Sequence, residues 1–180
     1  MSGRILVAGI GNIFLGDDGF GCEVVRRLAE REPPDGVEIV DFGIRGMDLA
    51  YALMDPYEVV VFVDAVPRGE EPGTVYLIEA EVPEEGEVTL DTHGMDPVNV
   101  IRLARVLGAE IPRTFVVGCE PQNIVGRRGG FETHPYEDVP MELSEPVQRA
   151  VDEAVKLVVS VVEQANTPSP NSYLKPDTYS

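Results

Sequence analysis

Two adjacent carboxylates, Asp17 and Asp18, sit inside a glycine-rich stretch that runs from Gly9-Ile10-Gly11-Asn12 to Gly19-Phe20-Gly21. Apolar residues from Ile5 to Ala8 lead straight into it, a pattern that reads as strand, tight loop and helix start. A dinucleotide fingerprint would need a third glycine where Phe14 stands. A phosphate loop would need a Gly-Lys-Ser/Thr, but the only lysines are Lys156 and Lys175. Two acids also repel phosphate rather than cradle it. Carboxylates in a glycine loop suit a cation. The plain alternative is that Asp17 and Asp18 only cap the helix that follows.

Two further residues bear on that choice. Asp64 follows the apolar run Val59 to Val63, where a charge is costly unless it is paired, solvated or metal-bound. Ordinary solvation at a strand end is the simpler account. His93 lies in Asp91-Thr92-His93-Gly94-Met95-Asp96-Pro97, ahead of a helical pattern. Open α/β sheets place ligands at the carboxyl ends of their strands, so Asp18, Asp64 and His93 can meet at one edge. Two carboxylates and an imidazole from three separate loops would bind a borderline divalent ion such as nickel or zinc, leaving positions open for water or substrate. Spacing does not choose between Asp17 and Asp18. One can coordinate while the other caps the helix or holds the loop. His134 is expected to be exposed, and Cys22 and Cys119 to be small buried side chains without metal-site spacing. No serine elbow, catalytic cysteine arrangement or H-E-x-x-H helix is present.

Elements that would position these groups follow from periodicity. Apolar spacing at Val24, Val25 and Leu28 predicts a helix over 20–31, ended by Pro33-Pro34. Strands are expected at 37–42, at 59–63 as a central strand covered on both faces, at 74–79 and at 114–118. Gly43-Ile44-Arg45-Gly46 reads as a turn, with helices over 47–54, 97–107 and 143–163, the last capped by Ser144. Strands alternating with helices imply one α/β domain over 1–164: a three-layer αβα arrangement around a mostly parallel, twisted five-stranded sheet with helices on both faces. Residues 122–140 lack periodicity and are too long for an ordinary connection. The Pro-, Ser- and Asn-rich tail from 165 to 180 is expected to be disordered.

With 43% hydrophobic residues in 180, the chain can bury one substantial core. Its net charge of −18, from 32 acids against 14 bases, disfavours a nucleic-acid partner. No apolar run approaches membrane-spanning length and no signal peptide is visible, so a cytoplasmic protein without membrane insertion is expected.

Several short motifs together resemble the hydrogenase maturation proteases, which trim the C-terminus of the large subunit of nickel-iron hydrogenases. They are Gly9-x-Gly11-Asn12 through Asp17-Asp18-Gly19-x-Gly21, Gly43-x-x-Gly46-x-Asp48-Leu49, Val63-Asp64-Ala65, Pro72-Gly73-Thr74, Thr92-His93-Gly94 and Gly118-Cys119-Glu120-Pro121. They occur in the family's order and span most of residues 4 to 163.

The resemblance implies a peptidase that removes a C-terminal extension from a nickel-loaded large-subunit precursor, with metal and catalytic residues matching Asp18, Asp64 and His93. It selects Asp18 over Asp17 and leaves Asp17, with Gly9, Gly11, Asn12 and Gly19, to shape the loop. Nickel would be presented by the substrate, another divalent metal could occupy the isolated protein, no nucleotide is expected, and a monomer is expected. Whether a carboxylate also acts as general base stays open. Gly43, Arg45, Gly46, Arg127 and Arg128 are candidate substrate contacts. The segment 122–140 departs from the family pattern by being longer and more basic, and is either a variable surface loop or a contact with one particular large subunit. A non-enzymatic nickel-sensing or chaperone-like module is the alternative.

Overall fold

The computed structural model describes residues 3–81, 96–123 and 140–167. Among them are five strands, β1 (Ile5–Ile10), β2 (Val37–Gly43), β3 (Val59–Ala65), β4 (Val75–Ala80) and β5 (Arg113–Cys119). The helices are α1 (Phe20–Leu28), α2 (Gly46–Ala52), α3 (Pro97–Val106) and α4 (Glu145–Asn166), with a single 3-10 turn over Gly16–Gly19.

Every residue of β1 and β3 is buried. Such continuous apolar runs have a place only at the centre of a sheet covered on both sides. The strand order is accordingly β2-β1-β3-β5-β4, with β1, β2, β3 and β5 parallel and β4 antiparallel to β5. Alternate side chains then divide into two cores. Ile5, Val7, Val61 and Val63 pack with Val24, Val25 and Leu28 of α1 and with Val147, Val151 and Val158 of α4. Leu6, Ala8, Ile10, Val60 and Phe62 pack with Leu49 and Leu53 beside α2 and with Val100, Ile101 and Ala104 of α3. The expected three-layer αβα architecture with a mostly parallel five-stranded sheet is therefore present.

β4 is an edge strand, which suits its partial polar alternation. Behind it, Glu120 is buried and its carboxylate accepts from the Arg68 and Gly69 amides at 2.8 and 3.1 Å and from the Tyr76 hydroxyl at 2.8 Å. This clamp fixes the path of the chain between β3 and β4. Gly73 closes the loop with φ +89°, where a Cβ would lie 2.7 Å from the carbonyl of Pro146.

Some boundaries differ from expectation. β1 continues through Gly9 and Ile10, and β3 takes in Asp64 and Ala65, because both strands keep partners in the ladder there. α1 stops at Leu28, the last side chain that reaches the core, and Ala29, Glu30 and Arg31 are exposed. α4 extends to Asn166, so Ala165 and Asn166 are helical and not part of a tail. The rest of the expected tail, 168–180, lies outside the described residues, as does His134. Among the described residues no helix is long and apolar enough to cross a membrane.

Cys22 and Cys119 are free and buried, as expected. Burial, followed by the charges of Asp17, Glu120 and Glu153, pushes the Cys119 thiol from 9.0 up to about 12. The folded state thus holds this proton more tightly than the unfolded chain. Its stabilisation is complete below pH 9 and is lost as pH rises toward 12. A urea titration series is expected to show stability falling above pH 9, by about 2 kcal/mol from this thiol near pH 10.5. Cys119→Ala should remove that part of the slope.

Candidate functional site

In this strand order the chain leaves β1 for β2 on one side, while β3 leads toward β5 and β4 on the other. The crevice beyond the carboxyl ends of β1 and β3 is the topological switch point, where open α/β sheets bind ligands. The glycine-rich stretch crosses it.

Close backbone approach explains the glycines there. A Cβ on Gly21 would lie 2.0 Å from the Val63 carbonyl oxygen and 2.5 Å from that of Ile10. One on Gly11, at φ +131°, would lie 1.8 Å from the Asp18 carbonyl oxygen. Bare backbone at these two positions seats the 3-10 turn and the start of α1 directly on the ends of β1 and β3. Gly21→Ala is expected to cost about 3 kcal/mol or more, since both obstructing atoms are backbone; thermal melting checks it, and a loss under 1 kcal/mol would contradict the packing.

The two adjacent acids point to different tasks. Asp17 is 0% exposed. Its Oδ2 accepts from the amides of Gln122 and Asn123, both at 2.8 Å, and from the Ser144 hydroxyl at 2.9 Å, while Oδ1 accepts from the Ser144 amide at 2.7 Å. It is an anchor that ties the turn to the chain leaving β5 and to the start of α4. Ser144 stands at the N-cap of α4 as expected, but its hydroxyl serves Asp17 and makes no capping bond.

Asp18 is half-buried, and its Oδ2 accepts from the Asn12 amide at 2.9 Å. Asp64 is 2% exposed and is paired in register with Gly118 of β5. Two residues separate Asp18 from Gly21, which packs on the residue before Asp64. Cys22 joins the group from α1: its Sγ donates to the Gly11 carbonyl at 3.5 Å. Burial first, then hydrogen bonding with Asp41 and the charges of Asp41, Asp18 and Asp64, push this thiol well above its usual range. Three carboxylates, from the turn after β1, from β2 and from the end of β3, thus act on one thiol. Such a field is repulsive by itself and favours a cation or a positively polarised group.

The structure brings Asp18 and Asp64 to the same edge, with Gly9, Gly11, Asn12 and Gly19 as the loop that carries them. Gly43 lies across the crevice: at φ +55°, it donates its amide to Asp41 Oδ1 at 2.9 Å and accepts from Gly11 N at 3.0 Å. Arg45 is exposed and Gly46 opens α2. His93, Arg127 and Arg128 lie outside the described residues, together with most of the 122–140 segment. Among the described residues alone, no group of three or more His, Cys, Asp or Glu is placed to hold a metal ion. Sequence reasoning passed over Asp41 and Glu120. An acid at the end of β2, in register beside Gly9 of β1, was the available signal for Asp41.

Comparison with known proteins identifies the family. The family model HycI, hydrogenase maturation protease, matches residues 22–161. The hydrogenase expression/formation protein HupD of Bradyrhizobium diazoefficiens is 37% identical over 138 residues, covering 75% of this chain and 71% of that protein. Hydrogenase 2 maturation protease of Escherichia coli is 31% identical over 123 residues, covering 67% and 75%. The solved structure of the hydrogenase maturating endopeptidase HybD from E. coli superposes with a TM-score of 0.68 at 26% identity, covering 90% of this chain and 93% of that one. The chain therefore belongs to the hydrogenase maturation protease family and is a peptidase of that kind.

Proposed function

We propose that this peptidase removes the C-terminal extension of a nickel-loaded large-subunit precursor of a nickel-iron hydrogenase, and that it recognises the substrate's nickel through Asp18, Asp64 and His93. The observation that carries this reading is Asp64, a carboxylate almost wholly enclosed at the switch point, beside the turn that presents Asp18. Burying an acid there costs several kcal/mol, a cost that a stable fold has no need to bear. The donor set suits the cargo, because carboxylate oxygens with one neutral imidazole are ligands of a borderline divalent ion.

Asp18 and Asp64 would face the nickel directly or through water, and so hold the scissile peptide in position. One of them takes the proton of the attacking water as its oxygen adds to the scissile carbonyl, and that proton then passes to the leaving amine. Nickel in the precursor would supply Lewis-acid polarisation of the peptide carbonyl. Asn12, whose amide holds Asp18 Oδ2, fixes that carboxylate while the proton moves. Arg127 and Arg128 would contact the body of one particular large subunit. The protein would act as a cytoplasmic monomer, without a nucleotide or nucleic acid.

Incubation with a nickel-loaded, unprocessed large subunit, beside a nickel-free control, tests this by intact mass of the products. Loss of one C-terminal peptide only in the loaded sample is the expected result. Equal cleavage of both samples would remove nickel recognition, and no mass change with a set of such precursors would remove the proteolytic assignment.

A further inference from the structure

We propose that the groove between the β1 loop and the end of β2 is a side-chain subsite, which takes one bulky apolar residue of the precursor chain beside the bond that is cut; this rests on the proteolytic reading above. The cavity is about 300 Å³. That lies at the lower end of the roughly 300–1,000 Å³ found for ligand pockets, room for one large side chain and its backbone.

Its apolar lining is Ile13 and Phe14 from one side and Phe42 and Ile44 from the other. Ile13, Phe14 and Ile44 are 55%, 62% and 64% exposed. Single exposed apolar residues are ordinary on any protein, but three converging on one concavity are not. The backbone beneath them is pinned. Phe14 N donates to Asn12 Oδ1 at 2.9 Å, and Gly43 N to Asp41 Oδ1 at 2.9 Å. Gly11 N donates to the Gly43 carbonyl at 3.0 Å and joins the two walls. Walls held in this way do not collapse to hide their own apolar surface, so a ligand side chain must cover it.

The same loop connects the groove to the candidate site. Asn12 lines the groove and donates its amide to Asp18. A residue seated between Phe14 and Ile44 therefore belongs to the stretch of substrate that passes Asp18. Charge narrows its class. Asp41 lines the groove and repels an acidic residue, while the Arg45 guanidinium is already held by the Asp41 carbonyl at 2.6 Å and by Asp48 at 3.5 Å. An uncharged, bulky apolar side chain fits what remains.

The test has two arms on the full chain. In the first, amide spectra are recorded with N-acetyl-Ala-Leu-Ala-amide and with its serine counterpart. The leucine peptide should shift the amides of Phe14, Ile44 and Arg45, the serine peptide should not, and Phe14→Ser/Ile44→Ser should abolish the shifts with the rest of the spectrum unchanged. In the second, the double variant should raise KM for a nickel-loaded precursor by about tenfold or more, with kcat within about twofold. Equal shifts from both peptides, no shifts at all, or an unchanged KM would overturn the subsite. If the wild-type protein processes no precursor yet the leucine peptide still shifts these amides, the groove keeps its ligand class and the proteolytic reading alone falls.

Discussion

Asp64→Asn is expected to slow processing of a nickel-loaded precursor by roughly 10²–10⁴-fold, the range for loss of a positioned acid or base, and to leave the fold intact. Asn has the same shape, so the packing of β3 against β5 and the two cores is kept. What changes is charge. Asp64 shares its surroundings with Asp18 and Asp41, since all three act on the thiol of Cys22. Neutralising the buried one of these three acids, beside the half-buried Asp18 and the exposed Asp41, relieves repulsion and removes a desolvated charge. The urea midpoint should therefore be unchanged or higher. A purely structural role predicts the opposite pairing, with stability lost and activity falling only in proportion. Both quantities can be read on one preparation, by denaturation and by intact mass of the processed subunit. Full activity, or a loss of more than about 1 kcal/mol in stability, would refute a functional reason for this burial.

Asp17→Ala is expected to act in the other way, costing about 3–5 kcal/mol. Its carboxylate receives four hydrogen bonds, three from main-chain amides and one from a hydroxyl. Truncation leaves part-buried donors without an acceptor, and each such group costs roughly 1–3 kcal/mol when fully enclosed. Asp17→Asn does not restore them, because an amide nitrogen would face donors. Ser144→Ala removes one donor and should cost about 1 kcal/mol. On the Asp17→Ala background, Ser144→Ala should cost almost nothing, and that non-additivity is the signature of one shared network. Urea unfolding of the single and double variants measures it, and additive losses would dissolve the network into separate contacts.

The sequence made the sheet legible because burial and periodicity agree. Val59 to Val63 could only be a strand covered twice, and the 3.6-residue spacing of Val147, Val151 and Val158 could only be one face of a helix. Chain ends of elements were less legible. Whether a strand stops at Val63 or Ala65 depends on whether a neighbouring strand still offers partners, and the neighbour, β5, is some 50 residues away in sequence. The same limit separates Asp64 from Asp17. A carboxylate after five apolar residues announces itself by local contrast. Asp17 looks identical to Asp18, and only donors from Gln122, Asn123 and Ser144 distinguish them, none of which has any pattern linking it to residue 17. Asp41 was passed over for a related reason: along β2 it reads as a solvent-facing acid, and its proximity to Cys22 arises from α1 crossing the ends of β1 and β3. Glu120 was quoted only as part of a motif, since nothing local reveals that it receives the Arg68 and Gly69 amides.

Asp17 also sets the timing of the molecule's completion. Its partners stand 105, 106 and 127 positions further along the chain. On the ribosome β1, α1, β2 and β3 emerge and can pair early, yet the anchor of the turn bearing Asp18 is complete only when Ser144, after Gln122 and Asn123, has left the exit tunnel. Nascent chains in which residue 144 is still inside the tunnel should therefore lack two of the four bonds to Asp17, so that the capacity to cut arises only once the start of α4 has emerged.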